Sequence, residues 1–244
     1  MGKAEAFTGL IGVIIPSGKS RGSKADKLIE QIYTYPFSNK VLALRTDGDK
    51  GFTAAVNDGL RELLRNENVK LFWVLNDDVE IDDDSIIQKL IEFRYDENYD
   101  YGIMGHKIVS LDDKDSILFG GAGDPFPAGM HKTGRVSKGD LNKITRERWI
   151  TFASAVITRE CLVQVGLLDE KLSWIYSDSD FCYRARWAGF QCVYNPDVVI
   201  YHKGGISSKP TEELRKKFIV DQTYFAMKWI GSNAYRELNS EILD

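Results

Sequence analysis

The feature that most constrains this chain is the run at residues 71–75, Leu-Phe-Trp-Val-Leu, followed at once by Asn76, Asp77 and Asp78. A short, almost wholly apolar run bounded by polar residues reads as a strand buried on both faces. Strands of that kind belong to parallel sheets covered by helices on each side. The flanking sequence repeats the pattern. Residues 11–15 are a β-branched run that ends at Pro16 and a Ser/Gly/Lys stretch, and residues 41–44 are another short strand. Residues 23–33 set Ala25, Leu28, Ile29 and Ile32 on one helical face, and 52–64 and 84–93 also read as helices. Alternation of this kind predicts an α/β fold with a mainly parallel central sheet flanked by helices. Ligands in such sheets bind beyond the carboxyl ends of the strands, where Asn76, Asp77 and Asp78 stand.

Further along, residues 102–108 predict another strand. Residues 120–140, rich in glycine and carrying Pro125 and Pro127, are too irregular for a regular element and long enough to act as a lid. A strand is expected over 149–157, helices over 159–165 and 178–188, strands over 191–194 and 198–201, and a last helix over 212–230. That helix carries Leu214, Phe218, Tyr224, Phe225 and Trp229 and should pack back on the body. With 244 residues, 43% of them hydrophobic, the chain can bury one substantial core, so a single domain over 1–244 is expected. The net charge of −4 argues against a protein that coats nucleic acid. The absence of a long apolar run or a leader-like start predicts a cytoplasmic protein without a transmembrane segment, peripheral attachment to a membrane remaining open. Cys161, Cys182 and Cys192 form no CxxC pair and are given no chemistry.

The acids after the strand offer hard oxygen ligands that suit Mg²⁺ or Mn²⁺, cations that take one or two protein carboxylates and complete their shell with water and phosphate. The alternative is an acidic turn, and Asp82, Asp83 and Asp84 look like helix-start residues only. The wider pattern favours the ligand reading. LFWVLNDDVEID resembles the strand and DXD-like motif of family 2 glycosyltransferases of the GT-A fold, in particular the rhamnosyltransferase-like members. Upstream, DKGFTAAVNDGL resembles the same family's N-x-G-F-x-x-A-x-N-x-G helix, with Gly51, Phe52, Ala55, Asn57 and Gly59 in register. The resemblance implies a metal contact at Asp78 and donor contacts at Asn76, Asp77, Gly51, Phe52 and Asn57.

The stretch ITFASAVITRECLVQVGLLDEKLSWIYSDSDFCYRARWAGF resembles the acceptor half of the family, which ends in ED-x-D-x-x-x-R-x-R-x-x-G; Asp178, Asp180, Arg184, Arg186 and Gly189 fit that ending. By resemblance Asp178 is the general base of an inverting transfer. Ser177 stands where the family usually has Glu. Without the resemblance, Ser177 and Asp180 have the spacing of a capping box, and Asp180 and Arg184 that of a surface ion pair worth about 0.3 to 0.5 kcal/mol. Neither device claims Asp178. In VVIYHKGGIS, His202 is expected at the metal, Lys203 offers a charge to phosphate, and Gly204 and Gly205 offer backbone donors. His106 and His131 are left unassigned.

The resemblance spans most of residues 10–208 and is poorest at the start. The family has a base-recognising strand that ends in Asp; here one strand, 41–44, lies between the first helix and Gly51, so the region is shortened or a strand is disguised in 33–38. Asp47 and Asp49 are candidate substitutes that read equally as turn residues. The resulting expectation is a metal-dependent, inverting glycosyltransferase, moving a sugar from a nucleotide diphosphate sugar to an acceptor hydroxyl of a glycan or lipid-linked acceptor, with Mn²⁺ or Mg²⁺ as cofactor. A non-catalytic sugar-nucleotide or glycan binding module is the alternative, motivated by Ser177 and the shortened start. A nucleotidyltransferase is a third reading, to which Gly18, Lys19, Arg21, Gly22 and Lys24 lend only a suggestion of a phosphate loop.

Overall fold

Parallel strands require a crossover between them, and the first third of the chain supplies two. The computed structural model describes residues 3–95, 100–123, 130–203 and 211–240. It opens with a short helix α1 (Lys3–Ala6), then β1 (Leu10–Ser17), α2 (Gly22–Thr34), β2 (Val41–Asp47), α3 (Phe52–Leu64) and β3 (Val69–Leu75). There follow β4 (Val79–Glu80), α4 (Ile86–Arg94), β5 (Tyr101–Ser110), β6 (Ser116–Phe119), β7 (Gly134–Arg135), β8 (Thr145–Arg146) and β9 (Ser154–Thr158). The last part holds α5 (Arg159–Val165), α6 (Ser177–Trp187), β10 (Gln191–His202), α7 (Glu212–Trp229) and α8 (Asn233–Ser240).

The central sheet runs β2-β1-β3-β9-β5-β10-β4. β1 is parallel to β2 and β3, β10 is parallel to β5, and β9 lies antiparallel between β3 and β5. Side chains alternate between two cores with the period of a strand. Leu71, Trp73 and Leu75 pack with α2 and α4, while Phe72 and Val74 pack with α3, α5 and α6. A third cluster, of Leu172, Tyr176, Tyr183, Phe225, Trp229 and Leu238, seats α7 and α8 against α6. Among the described residues no helix is long and apolar enough to cross a membrane. All three cysteines are buried and free.

Three expectations change in detail. Residues 149–153 are not strand: Trp149, Ile150 and Phe152 are buried, but the Ile150 N–H points to Cys182 Sγ, away from any ladder. The two strands expected at 191–194 and 198–201 are one, with a break in register between Asn195 and Val199. Pro196 falls in that break, where its missing N–H is tolerated. No strand lies in 33–38, so β2 is the one strand between α2 and Gly51. The helix at 212–230 is present as α7, whereas α8 was not anticipated.

Candidate active site

The order of strands reverses at β1, which has β2 on one side and β3 on the other, and the carboxyl ends of these strands open a crevice of the kind that binds ligands. Asn76, Asp77 and Asp78 leave β3 there. β4 then pairs antiparallel with the end of β10, setting Val79 opposite His202. This register brings His202 Nε2 to 3.0 Å from Asp78 Oδ1 and 3.3 Å from Asn76 Nδ2. From β1, Ser17 Oγ donates to Asp77 Oδ2 at 2.7 Å. Arg21, in the turn after β1, pairs with Asp77 and lies 3.0 Å from Asp78 Oδ2. The four predicted residues Asn76, Asp77, Asp78 and His202 therefore form one cluster, joined by two that were not singled out for it, Ser17 and Arg21.

The two acids differ in their electrostatics. Burial raises the Asp77 carboxyl, against the opposing pull of Ser17 and Arg21. Burial would raise Asp78 too, but the hydrogen bond and charge of His202, helped by Arg21, outweigh it and hold the group at about 2. Asp78 is thus held as the carboxylate at neutral pH. Among the described residues no group of three His, Cys, Asp or Glu side chains is arranged to hold a metal ion. One permanent carboxylate and one imidazole facing each other across 3.0 Å fit a cation that draws its other ligands from phosphate and water.

Beside this cluster, at the ends of β1 and β2, is a cavity of about 380 Å³ lined by Ser17, Gly18, Lys19, Gly22, Arg45, Thr46 and Asp47. Thr46 Oγ1 is buried and has no hydrogen-bond partner among the described residues. Asp47 ends β2 and caps the turn that follows by accepting from the Asp49 N–H at 3.1 Å. A Cβ at Gly48 would come within 2.8 Å of the backbone at Ser17 and Gly18, so only glycine lets these two loops meet beside the cavity.

The Gly-Phe helix is placed differently from the expectation. Gly51, at φ 97°, turns the chain into α3, and Phe52 is half-buried. Asn57 is 1% exposed and fully engaged within the protein. Its Nδ2 donates to Leu168 O and Glu170 Oε1, both at 2.9 Å, and its Oδ1 accepts from the Leu168 N–H at 3.0 Å. This leaves neither amide hydrogen for a nucleotide. Asn57 ties α3 to the loop at 168–170.

Asp178 lies in the first turn of α6. Its carboxylate accepts the Ser179 N–H at 2.7 Å and a second N–H from Phe152. Burial nevertheless dominates and raises it from 3.8 to about 6. The approach to the helix is held in an uncommon shape: Tyr176 sits at φ 62°, and the buried Asp221 of α7 accepts the N–H groups of Trp174 and Ile175 at 2.7 and 3.0 Å. Asp178 opens onto a cleft of about 370 Å³, lined by Phe52, His131, Trp149, Trp174, Ile175, Tyr176, Ser177, Ser179 and Phe218. The aromatic walls come from separate parts of the chain and gave no local signal. The capping box that the spacing of Ser177 and Asp180 allows is not formed: the helix cap is Tyr176. Asp180 is fully buried, accepts from Arg184 Nε at 2.9 Å and Trp229 Nε1 at 2.8 Å, and pairs with Lys228 at 2.7 Å. It is an internal hub and not a surface pair.

The two halves meet at adjacent residues. The Asn76 N–H donates to Ala153 O at 3.0 Å, while the neighbouring Phe152 N–H serves Asp178. Phe52, from the segment expected to touch the donor, also lines the Asp178 cleft. Lys203 reaches back through its N–H to Asp78 O at 3.4 Å. Gly204, Gly205 and part of the 120–140 loop lie outside the described residues.

No family model matches this chain. Over 83 residues it is 35% identical to the uncharacterised protein y4gI of Sinorhizobium fredii, a stretch that is 33% of this chain and 9% of that protein. Among solved structures it is similar to the mannosyltransferase PcManGT from Pyrobaculum calidifontis in complex with GDP-Man and Mn²⁺, with TM-score 0.60 and 13% identity, covering 96% of this chain and 68% of the other. It is also similar to the catalytic domain of Drosophila β1,4-galactosyltransferase 7 in complex with xylobiose, with TM-score 0.53, 11% identity and coverage of 86% and 79%. A third likeness is to GalNAc-T7 with UDP, GalNAc and Mn²⁺, with TM-score 0.52, 13% identity and coverage of 94% and 50%. The chain has the GT-A glycosyltransferase fold: mixed α/β with a mainly parallel central sheet.

Proposed function

We propose that this chain is a metal-dependent, inverting glycosyltransferase of the family 2 type, transferring a sugar from a nucleotide diphosphate sugar to an acceptor hydroxyl, with residues 1–244 acting as one unit. The observation that carries the reading is the joining of the two carboxylate sites through residues 152 and 153. On one side, the cavity at Thr46 and Asp47 would take the nucleotide, and Asp78 and His202 would hold Mn²⁺ or Mg²⁺, which when bound neutralises charge on the leaving diphosphate. On the other, Asp178 takes the proton of the acceptor hydroxyl as its oxygen bonds to the anomeric carbon and the bond to the diphosphate breaks. A base raised to about 6 is ionised at neutral pH yet basic enough to accept that proton. The solved relatives in fold carry Mn²⁺ with GDP-Man or with UDP, which supports a divalent cation and a nucleotide-linked donor here.

The test is a thermal-shift screen of nucleotide sugars with and without Mn²⁺, followed by transfer assays with each donor that stabilises the fold. Absence of a shift with every donor would remove the proposal. One observation favours the second reading, a binding module without turnover: Ser177 lines the Asp178 cleft and brings no second carboxylate to it where the family pattern has Glu. Tight donor binding in calorimetry, with neither transfer nor donor hydrolysis, would decide for it. Arg21 is engaged by Asp77 and Asp78, which weighs against a basic phosphate loop of the nucleotidyltransferase kind; release of pyrophosphate from a nucleoside triphosphate would restore that reading.

A further inference from the structure

We infer that the cleft over Asp178 binds a single pyranose ring of a carbohydrate acceptor, held by its C–H face against Trp174 and Phe218. The inference rests on the assignment of Asp178 as the base and goes on to name the class of its substrate. Among the described residues Asp178 is the sole charged residue lining the cleft. The described walls bring no Lys or Arg to it, and Asp178 would repel a phosphate or carboxylate on the acceptor. What remains is a neutral molecule with a hydroxyl to present and an apolar surface to bury.

The walls narrow the choice. Trp174 and Phe218 are both half-buried, and their rings meet edge to face at 6.3 Å and 71°. Their backbones are fixed to each other, because Asp221 of α7 holds the Trp174 N–H three residues after Phe218. Trp149, also on the wall, donates its indole N–H to Gly123 O at 3.1 Å and packs against His131, 5.3 Å between ring centres. Its polar edge is therefore spent inside the protein. The negative face of an aromatic ring attracts positively polarised edges. Pyranose C–H groups are polarised this way by the neighbouring oxygens. A pyranose alone presents a flat apolar face and, along its rim, hydroxyls that reach a carboxylate. An alkyl chain would fill the walls but leave Asp178 facing hydrocarbon, at the desolvation cost of an unpaired buried charge. The size agrees, since about 370 Å³ is near the lower bound of ligand pockets and suits one ring better than a polymer segment. Phe218 lies on α7, outside the resembled stretch, so this wall belongs to the present chain and not to the shared pattern.

Saturation-transfer NMR tests the assignment. The probes are the methyl glycosides of glucose, galactose, mannose, rhamnose and N-acetylglucosamine, with decanol and 4-methoxyphenol as the aliphatic and aromatic alternatives. At least one methyl glycoside should bind, with saturation concentrated on the protons of one ring face, and Trp174→Ala and Phe218→Ala should weaken it at least tenfold. Trp187→Ala, at a residue 55% exposed and outside the cleft, should leave it unchanged. Trp174→Phe, which keeps a ring, serves if the alanine variant fails to fold, and should retain most of the binding. Binding of no glycoside, undiminished binding in both wall variants, or preference for decanol or the phenol overturns the inference. Thermal shifts by nucleotide sugars are recorded on the same preparations. Donors that bind where no glycoside does leave the transferase reading standing and remove this one; a glycoside lost with the walls where no donor binds does the reverse.

Discussion

Replacing Asp178 by Asn should make the protein less active and, at neutral pH, more stable. A carboxyl raised from 3.8 to about 6 on folding binds its proton more tightly in the folded state. The resulting penalty is full above the folded value and fades as pH falls toward the unfolded one. At about 1.4 kcal/mol per pH unit, it amounts to roughly 3 kcal/mol at pH 7.5 and roughly 1 kcal/mol at pH 4.5. Asn removes the penalty but mispairs one of the two N–H groups from Phe152 and Ser179, a loss of about 1 to 2 kcal/mol that does not depend on pH. The net gain at pH 7.5 is therefore about 1 to 2 kcal/mol. The cleaner quantity is the change in that gain between the two pH values, about 2 kcal/mol, or roughly 4 to 8 °C in Tm for a chain of this size. Calorimetry of both proteins at both pH values measures it. Transfer should fall by about 10² or more, and kcat/KM of the parent should show an acid limb near pH 6. A Tm difference that is the same at both pH values would refute the burial argument, and undiminished transfer would refute the role as base.

His202→Ala should abolish the part of the donor-induced thermal shift that depends on Mn²⁺, while a donor shift without metal survives; a Mn²⁺ response equal to that of the parent would exclude His202 from the cation. Asn57→Ala should cost about 1 to 3 kcal/mol in urea unfolding, because buried partners at Leu168 are left unpaired; the folded fraction should bind donor with unchanged Kd. Asp180→Ala should cost about 3 kcal/mol, since it leaves the Trp229 indole N–H unpaired and takes one carboxylate from Lys228 and Arg184, which keep Asp169 and the carbonyls of Val165 and Leu167. A loss under 1 kcal/mol would mean that the network is as weakly coupled as an exposed pair.

What could be read in the chain without its structure follows from how local the physics is. Residues 71–78 encode a buried strand and its polar exit within a few positions, so Asp77 and Asp78 were located at the strand end directly. His202 followed from the end of another apolar run, but its distance to Asp78 is set by the pairing of β4 with β10, which no local pattern carries. Residues 149–153 look like strand because Trp149, Ile150 and Phe152 are buried; burial arises here from α6, and the N–H groups serve Cys182 and Asp178. Asn57 sits in the expected register, and the residue type suits a ligand or a loop equally well. Only the position of Leu168, 111 residues away, decides between them. The spacing of Asp180 and Arg184 suits a surface pair equally well, and only α7 with its Lys228, distant in the chain, makes it a buried one.

The antiparallel strand β9 has a consequence for the order in which the molecule is made. β2, β1 and β3 can pair as soon as the first 75 or so residues exist, but the far edge of β3 must wait for β9, whose Thr158 lies opposite Leu71. Through synthesis of the intervening chain, an apolar strand edge stands open, the kind of surface on which nascent chains stick to one another. β9 closes it, and the same insertion sets Ala153 against Asn76 and leaves the Phe152 N–H in place for Asp178, which follows in α6. The open edge is therefore covered before the candidate site is complete, since Asp178 and His202 come later in the chain, and fragments that stop before residue 154 should keep that edge exposed.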